Sequence, residues 1–119
     1  MGKGWPGLIQ GWQVPLLLIE KIHLRFNKPV LFTEIGYRST HDAAIEPWQW
    51  PKAEDSSQAC YEAQAECYRA FFQTVWDKKW LAGVYFWKWY PHGPRRLGAI
   101  DFTPQNKLAE KVILENFSK

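Results

Sequence analysis

The spacing of apolar side chains predicts that the chain begins with a loop followed by a helix. Apolar positions recur at helical spacing from Leu16 to Phe26, and Pro15 suits the first turn of a helix. We therefore predict a helix over about residues 14–26. The glycine-rich stretch before it, residues 2–11, is predicted to be a loop.

Two further helices follow from the same kind of pattern. The second is predicted from about residue 56 to residue 79, and Asp55 with Gln58 three residues later fits a capping box at its start. Its apolar face is too wide for an isolated helix, so other structure must cover it. The last helix is predicted to begin at Thr103, whose hydroxyl can cap the first turn, and to end near Phe117.

Two short β-rich segments, residues 30–35 and 82–87, are apolar on both parities over most of their length. Such runs are typical of strands that are buried on both faces, as in a parallel sheet. Long irregular segments, residues 37–55 and 88–100, follow the strands. The alternation of helices and strands predicts an α/β fold with a parallel sheet and crossover helices.

Charge and hydropathy exclude several classes of partner. The chain has 119 residues, and 15 Lys and Arg against 12 Asp and Glu give a net charge of +3. The basic side chains form no long run, whereas nucleic-acid-binding proteins usually carry clustered positive charge. The longest apolar run, residues 14–19, is shorter than a membrane span or the core of a signal peptide. We therefore expect no nucleic-acid partner, no membrane segment and no targeting signal.

The two cysteines, Cys60 and Cys67, lie seven residues apart in the predicted second helix. Two helical turns separate their Cα atoms by about 10 Å, whereas a disulfide tolerates at most about 7 Å. We expect both to be free thiols that behave as small buried apolar residues. The chain shows no spacing typical of metal ligands, and we expect no metal and no cofactor.

Aromatic residues make up 17% of the chain, with 8 Trp, 5 Tyr and 7 Phe. Such a density suits either a heavily packed core or a site that stacks on sugars. Glu34, at the carboxyl end of the first strand, is the outstanding polar candidate, because sites in α/β folds form at that end. Strand parity would place it on the face of Phe32, and an ion pair with Arg38 or Lys88 is the structural alternative.

Two tryptophans in the first long loop, Trp48 and Trp50, are flanked by Pro47 and Pro51. A loop of this length in a compact domain is more often functional than not. We expect one of the two indoles to be a sugar platform and the other to anchor the loop. The pattern does not decide which one has which role.

Three segments resemble glycoside hydrolases of clan A, and family 113, whose characterised members are β-mannanases, is the most similar. They are Lys28–Ser39 (KPVLFTEIGYRS), Gly83–Pro91 (GVYFWKWYP) and Asp101–Lys107 (DFTPQNK). The resemblance implies the C-terminal part of a (β/α)8 TIM barrel: a helix, strand 7, helix 7, strand 8 and helix 8. Residues 1–119 would then form a single partial domain of an incomplete barrel.

The same resemblance implies roles for particular side chains in retaining hydrolysis. Glu34 matches the nucleophile of the clan at the end of strand seven. Trp87 and Trp89 match the aromatic residue that lines the sugar subsite after strand eight. Tyr37 and Arg38 are candidates to bind near the nucleophile and keep it ionised. No metal or cofactor takes part in this chemistry.

The acid/base glutamate of the clan, at the end of strand four, has no match in this sequence. A retaining mechanism needs a second carboxylate about 5–5.5 Å from the first. Because the remaining carboxylates lie in loops rather than at strand ends, none is expected to replace it. Whether the isolated chain is an enzyme therefore stays open.

Two functions of different class are consistent with these features of the sequence. The first is the C-terminal part of a retaining glycoside hydrolase that acts on β-linked polysaccharide, with β-1,4-mannan as the implied substrate. The alternative is a non-catalytic carbohydrate-binding or structural half-barrel. Because two parallel strands cannot close an eight-stranded barrel, we expect self-association or pairing with the missing strands. The resemblance is compatible with a secreted parent, and the compartment stays open.

Overall fold

The fold alternates helices with two parallel strands, as the sequence predicted. The computed structural model describes residues 4–92 and 97–118. In chain order the elements are helix α1 (Gly4–Phe26), strand β1 (Val30–Ile35), a 3₁₀ helix (Ala53–Gln58), helix α2 (Tyr61–Thr74), strand β2 (Leu81–Phe86) and helix α3 (Leu108–Phe117). The strands pair in parallel in a two-stranded sheet, and α2 lies in the connection between them.

The predicted loop before α1 is wrong for every described residue of that stretch, because the helix begins at Gly4 and contains Pro15 within it. Tertiary contacts override the low helix propensity of the glycines. Trp12 packs its ring 6.3 Å from that of Phe32 and 6.1 Å from that of Phe71. This packing favours a helix that continues on the amino-terminal side of the proline.

The second predicted helix is shorter than expected, because the backbone leaves helical geometry just before α2 begins at Tyr61. Cys60 has an extended backbone and donates its N–H to the carbonyl of Ser39 at 2.8 Å. Asp55 does not cap α2; its carboxylate instead accepts the N–H of Lys52 at 2.8 Å and caps the 3₁₀ helix. The long-range contact with Ser39 outweighs continuation of the helix.

The last helix also begins later than predicted, at Leu108 rather than at Thr103. The hydroxyl of Thr103 accepts the N–H of Gln105 at 3.1 Å, so it closes a local turn instead of capping a helix. Short side chains of this kind compete with helix formation by bonding to the nearby backbone.

The hydrophobic core lies between the helices and one face of the sheet, and aromatic rings dominate it. Phe71 of α2 is fully buried, and its ring lies 6.0 Å from Phe32 and 5.3 Å from Phe72. The opposite face of the sheet is open, with Leu31 50% and Tyr85 65% exposed. Among the described residues, no helix is long and apolar enough to cross a membrane.

The cysteines are free, as predicted, but only Cys67 is buried, whereas Cys60 is partly exposed. Burial raises the pKa of the Cys67 thiol to about 12. The two thiols should therefore react at very different rates, since the thiolate is the reactive form.

We expect a thiol-reactive dye at pH 8 to label Cys60 quickly and Cys67 only when the chain unfolds. Cys60→Ser should remove the fast phase and leave the slow one. Labelling kinetics with and without denaturant measure both phases. Equal fast labelling of both thiols under native conditions would contradict the packing of α2.

Candidate functional site

The end of β1 contains a β-bulge that turns Glu34 away from the core. The strands pair Phe32 with Val84 and Ile35 with Phe86, so β1 has one extra residue between these pairs. Phe32 and Ile35 therefore both pack on the helical side, although they are three residues apart. The predicted common face of Phe32 and Glu34 is wrong, because the bulge leaves the glutamate exposed.

Glu34 opens into a cleft of about 270 Å³ at the carboxyl ends of the strands. Its walls come from the strand ends, the loop after β1 and the turn before α3. The lining residues are Glu34, Gly36, Pro47, Trp48, Trp50, Trp87 and Phe102. The cleft therefore joins one carboxylate to several aromatic rings, the combination that was predicted for a sugar site.

The strand ends approach each other closely beside this cleft. The N–H of Trp87 donates to the carbonyl of Ile35 at 2.7 Å. A Cβ on Gly36 would overlap the carbonyl oxygen of Trp87, so only glycine fits between the two backbones. The peptide bond between Trp87 and Lys88 is cis. The backbone approach fixes the position of Trp87 relative to Glu34.

The loop that carries the two indoles is held from inside by Arg38. Its guanidinium donates to the carbonyls of Gln49 at 3.0 Å and Ile45 at 3.1 Å, and lies 3.5 Å from the carboxylate of Asp42. Arg38 is only 5% exposed and does not line the cleft. Its contacts are those of a loop anchor, which places Trp48 and Trp50 above the strand ends.

The two loop tryptophans differ in their contacts. Trp50 packs edge to face against Trp87, with ring centroids 6.0 Å apart, and against Phe102 at 5.2 Å. Trp48 also lines the cleft but is 71% exposed. Trp50 is thus the indole with anchoring contacts, and Trp48 has the more accessible ring.

Three predicted site residues lie outside the lining of this cleft. Trp89 is 52% exposed, and Arg38 holds the loop. Tyr37 packs edge to face on Tyr68, with centroids 5.3 Å apart, and burial raises the pKa of Tyr37 far above its usual range. Substrate contacts by these three side chains stay predictions.

The ion pair considered for Glu34 is not formed in the described part of the chain. Arg38 faces Asp42, and the ammonium of Lys88 lies over aromatic rings. In residues 4–92 and 97–118, no hydrogen bond or salt bridge reaches the carboxylate of Glu34. Its carboxyl oxygens are therefore available to a ligand in the cleft.

The sequence pattern did not predict a buried polar network that adjoins the cleft. Gln64 of α2 donates to the carbonyls of Tyr37 at 2.9 Å, Phe102 at 3.1 Å and Thr103 at 3.2 Å. These bonds tie the segment after β1 to the cleft wall before α3. The available signal was a glutamine on the apolar face of a helix, where it needs buried partners.

Lys107 and Asp101 complete this network. Lys107 is 6% exposed and donates to Ser39 Oγ at 2.9 Å and to the carbonyl of Asp101 at 3.2 Å. The Asp101 carboxylate accepts the hydroxyl of Tyr90 at 2.6 Å and the N–H of Phe102 at 2.5 Å. Burial lowers the pKa of Lys107 from 10.5 to about 8, against the opposite effect of Asp101.

A larger groove of about 630 Å³ lies between α2 and α3, away from Glu34. Its lining includes Arg69, Trp76, Asp77 and Glu115. It lacks a residue at a strand end, which is where α/β folds hold rigidly placed polar groups. Size alone does not make it the better site, and the smaller cleft joins the strand-end carboxylate to the indoles.

The fold and the cleft define an α/β unit with a strand-end carboxylate among indoles. The family model described as Glycoside Hydrolase Family 113 matches residues 5–101. The chain belongs to this family. No curated protein gives a significant match.

Solved structures of family 113 mannanases are similar to this chain. The GH113 β-mannanase AaManA from Alicyclobacillus acidocaldarius, solved in complex with ManMIm, is 26% identical with a TM-score of 0.77, over 92% of this chain and 35% of its own. Two structures of GH113 β-1,4-mannanase, one of them a complex, have 24% and 25% identity and TM-scores of 0.80, over 93% of this chain and 36% of theirs. The chain thus spans about 35% of the length of these mannanases.

Replacing Gly36 by alanine should destabilise the chain, because the new methyl group overlaps the carbonyl of Trp87. Overpacking of this kind costs about 1–3 kcal/mol. Gly11→Ala is the matched control, since its Cβ would meet nothing within 4 Å and alanine favours the helix. Urea unfolding measures both changes, and equal stability of the two variants would contradict the close approach.

Unfolding of the chain should depend on pH through Lys107. Because its pKa is lower in the folded state, the unfolded chain binds more protons between about pH 8 and pH 10, and stability rises with pH there. Below about pH 8 the residue is protonated in both states. The free energy of unfolding of the wild type should therefore rise relative to that of Lys107→Met above pH 8.

Urea unfolding of wild type and Lys107→Met at a series of pH values tests this expectation. Groups common to both proteins, including Cys67, cancel in the difference. A difference that stays constant from about pH 7 to pH 9.5 would show that Lys107 titrates as it does in the unfolded chain.

Proposed function

We propose that the chain supplies the C-terminal part of a retaining β-mannanase, with Glu34 as the nucleophile. In this assignment β1 and β2 are strands 7 and 8 of a (β/α)8 barrel, and residues 1–119 are one partial domain. The observation that carries the proposal is the exposed carboxylate of Glu34 in an aromatic cleft of a family 113 chain. The similar GH113 β-mannanases suggest β-1,4-mannan as the substrate.

The proposed chemistry begins with attack of the Glu34 carboxylate on the anomeric carbon of the sugar. The glycosidic bond breaks as a second carboxyl group donates its proton to the leaving oxygen, and a covalent glycosyl ester forms on Glu34. Water then releases the sugar when the second carboxylate removes its proton. Glu34 attacks as the carboxylate in this mechanism, and its side chain is exposed to the cleft.

The aromatic walls would hold the sugar during these steps. Indole rings bury the apolar faces of pyranose rings while the hydroxyl groups remain available for hydrogen bonds. We assign this role to Trp48, Trp50 and Trp87, which line the cleft, and Trp89 would extend it. In this proposal Arg38 acts through the loop that it holds.

The second carboxylate would come from the rest of the barrel. Asp42 accepts the hydroxyl of Thr40 at 2.6 Å, and Asp55 accepts the N–H of Lys52. Asp101 accepts the hydroxyl of Tyr90. These nearby carboxylates are engaged in local structure, so none of them is a good proton donor for a substrate.

The exposed apolar surfaces support pairing with further barrel strands. Leu31 and Tyr85 lie on the open face of the sheet, and Leu17 and Leu24 of α1 are 63% and 70% exposed. Contiguous exposed apolar side chains of this size are typical of interaction surfaces. We propose that the remaining strands of a family 113 barrel cover these surfaces, and self-association is the alternative.

A non-catalytic carbohydrate-binding role is the second candidate. The nearby carboxylates accept hydrogen bonds within the chain, which favours this candidate. An aromatic cleft with Glu34 as its carboxylate can bind a sugar without cleaving it. Incubating manno-oligosaccharides with a chimera that joins this chain to the first two thirds of AaManA separates the two roles. Binding without product release by this chimera favours the non-catalytic candidate, whereas product release favours the hydrolase.

The catalytic proposal is tested by a chimera in which this chain replaces the equivalent third of AaManA. Glu34→Gln should reduce mannan hydrolysis by at least about 10³-fold, because an amide cannot form the covalent intermediate. Glu62→Gln is the control, since Glu62 is exposed and pairs with Arg69 on α2. Near-wild-type hydrolysis by the Glu34 variant would overturn the proposal.

A further inference from the structure

The ammonium group of Lys88 lies among three aromatic rings beside the cleft. Its Nζ is 4.4 Å from the ring centroid of Tyr90, 5.3 Å from that of Trp50 and 5.5 Å from that of Trp87. In the described ranges it has no salt bridge. Its electrostatic contacts there are with ring faces, which attract cations through their quadrupole.

The three rings belong to separate parts of the chain. Trp87 directly follows β2, Tyr90 lies three residues further along the chain, and Trp50 comes from the long loop after β1. Lys88 does not line the cleft, whereas Trp50 and Trp87 do. The ammonium therefore contacts two rings of the cleft wall although Lys88 is not among the residues that line the cleft.

Tyr90 gives this contact a rigid base. It is 6% exposed, and its hydroxyl donates to Asp101 at 2.6 Å. Its backbone N–H donates to Gln105 Oε1 at 2.8 Å, and its carbonyl accepts Gln105 Nε2 at 2.9 Å. Tyr90 is therefore held in place at its hydroxyl and at its backbone, and its ring offers the ammonium a fixed surface.

We propose that Lys88 is a positioning residue that sets the placement of Trp50 against Trp87 and hence the width of the cleft. The positive charge draws the loop indole towards the end of β2 without touching the sugar. The extension to sugar binding rests on the function proposed above. The contact itself does not depend on that function.

The first test uses this chain without any sugar. Lys88→Met keeps the unbranched stem and removes the charge, so chymotrypsin should cleave the Trp48–Gln49 bond faster. The expected increase is about 2- to 30-fold, which corresponds to the strength of such contacts. Lys88→Arg should restore slow cleavage, and the exposed Lys79→Met should have no effect.

Slow labelling of Cys67 in each variant shows that the fold is retained. If Lys88→Met and the wild type are cleaved at the same rate, or if Lys88→Arg behaves like Lys88→Met, the proposal is overturned. If a variant no longer protects Cys67, the contact is tested by NMR of the wild-type chain instead. Side-chain protons of Lys88 at ordinary, unshifted NMR frequencies would then also overturn the proposal.

The second test uses the chimeric mannanase. Lys88→Met should raise KM for mannotetraose by a factor similar to the increase in cleavage, with kcat largely kept, and Lys88→Arg should recover KM. An unchanged KM would overturn the role in cleft width. If the chimera neither binds nor hydrolyses mannan, the proposed function fails, and the cleavage rates still decide whether Lys88 holds the loop.

Discussion

The structure depends on the close pairing of β1 and β2 at their carboxyl ends. The hydrogen bond from Trp87 to Ile35, with Gly36 beside it, brings the two backbones together where no side chain fits. The bulge just before this point turns Glu34 outward while Ile35 stays in the core. Without this pairing, the Glu34 carboxylate and the Trp87 indole would have no fixed positions relative to each other.

Two further layers support this arrangement. Behind the loop, the buried guanidinium of Arg38 satisfies carbonyl groups that the irregular backbone cannot pair by itself. Beneath the cleft, Gln64 and Lys107 tie the segments after β1 to the turn before α3. Hydrogen bonds from buried side chains thus replace regular secondary structure around the cleft. Through these bonds, Arg38, Gln64 and Lys107 position the aromatic walls.

The sequence alone was enough to predict the parallel strands and Glu34 as the outstanding polar residue, since apolar runs and a strand-end glutamate are local signals. It could not predict the bulge, because alternation assumes a regular pleat and the extra residue reverses every face beyond it. The start of α1 was missed for a related reason: the glycines and Pro15 argue against a helix locally, and only the packing of Trp12 on the core outweighs them. The role of Arg38 depends on a loop conformation that no short pattern encodes.

In the proposed hydrolase, the Glu34 carboxylate faces the anomeric carbon of a bound mannosyl unit. The most direct measurement is trapping of the covalent intermediate in the chimeric mannanase with a 2-deoxy-2-fluoromannosyl fluoride, followed by mass spectrometry of the digested protein. A retaining enzyme forms a glycosyl ester on its nucleophile. We predict the added sugar mass on the peptide that contains Glu34, and no such added mass in Glu34→Gln. A label on another carboxylate would show that Glu34 is not the nucleophile.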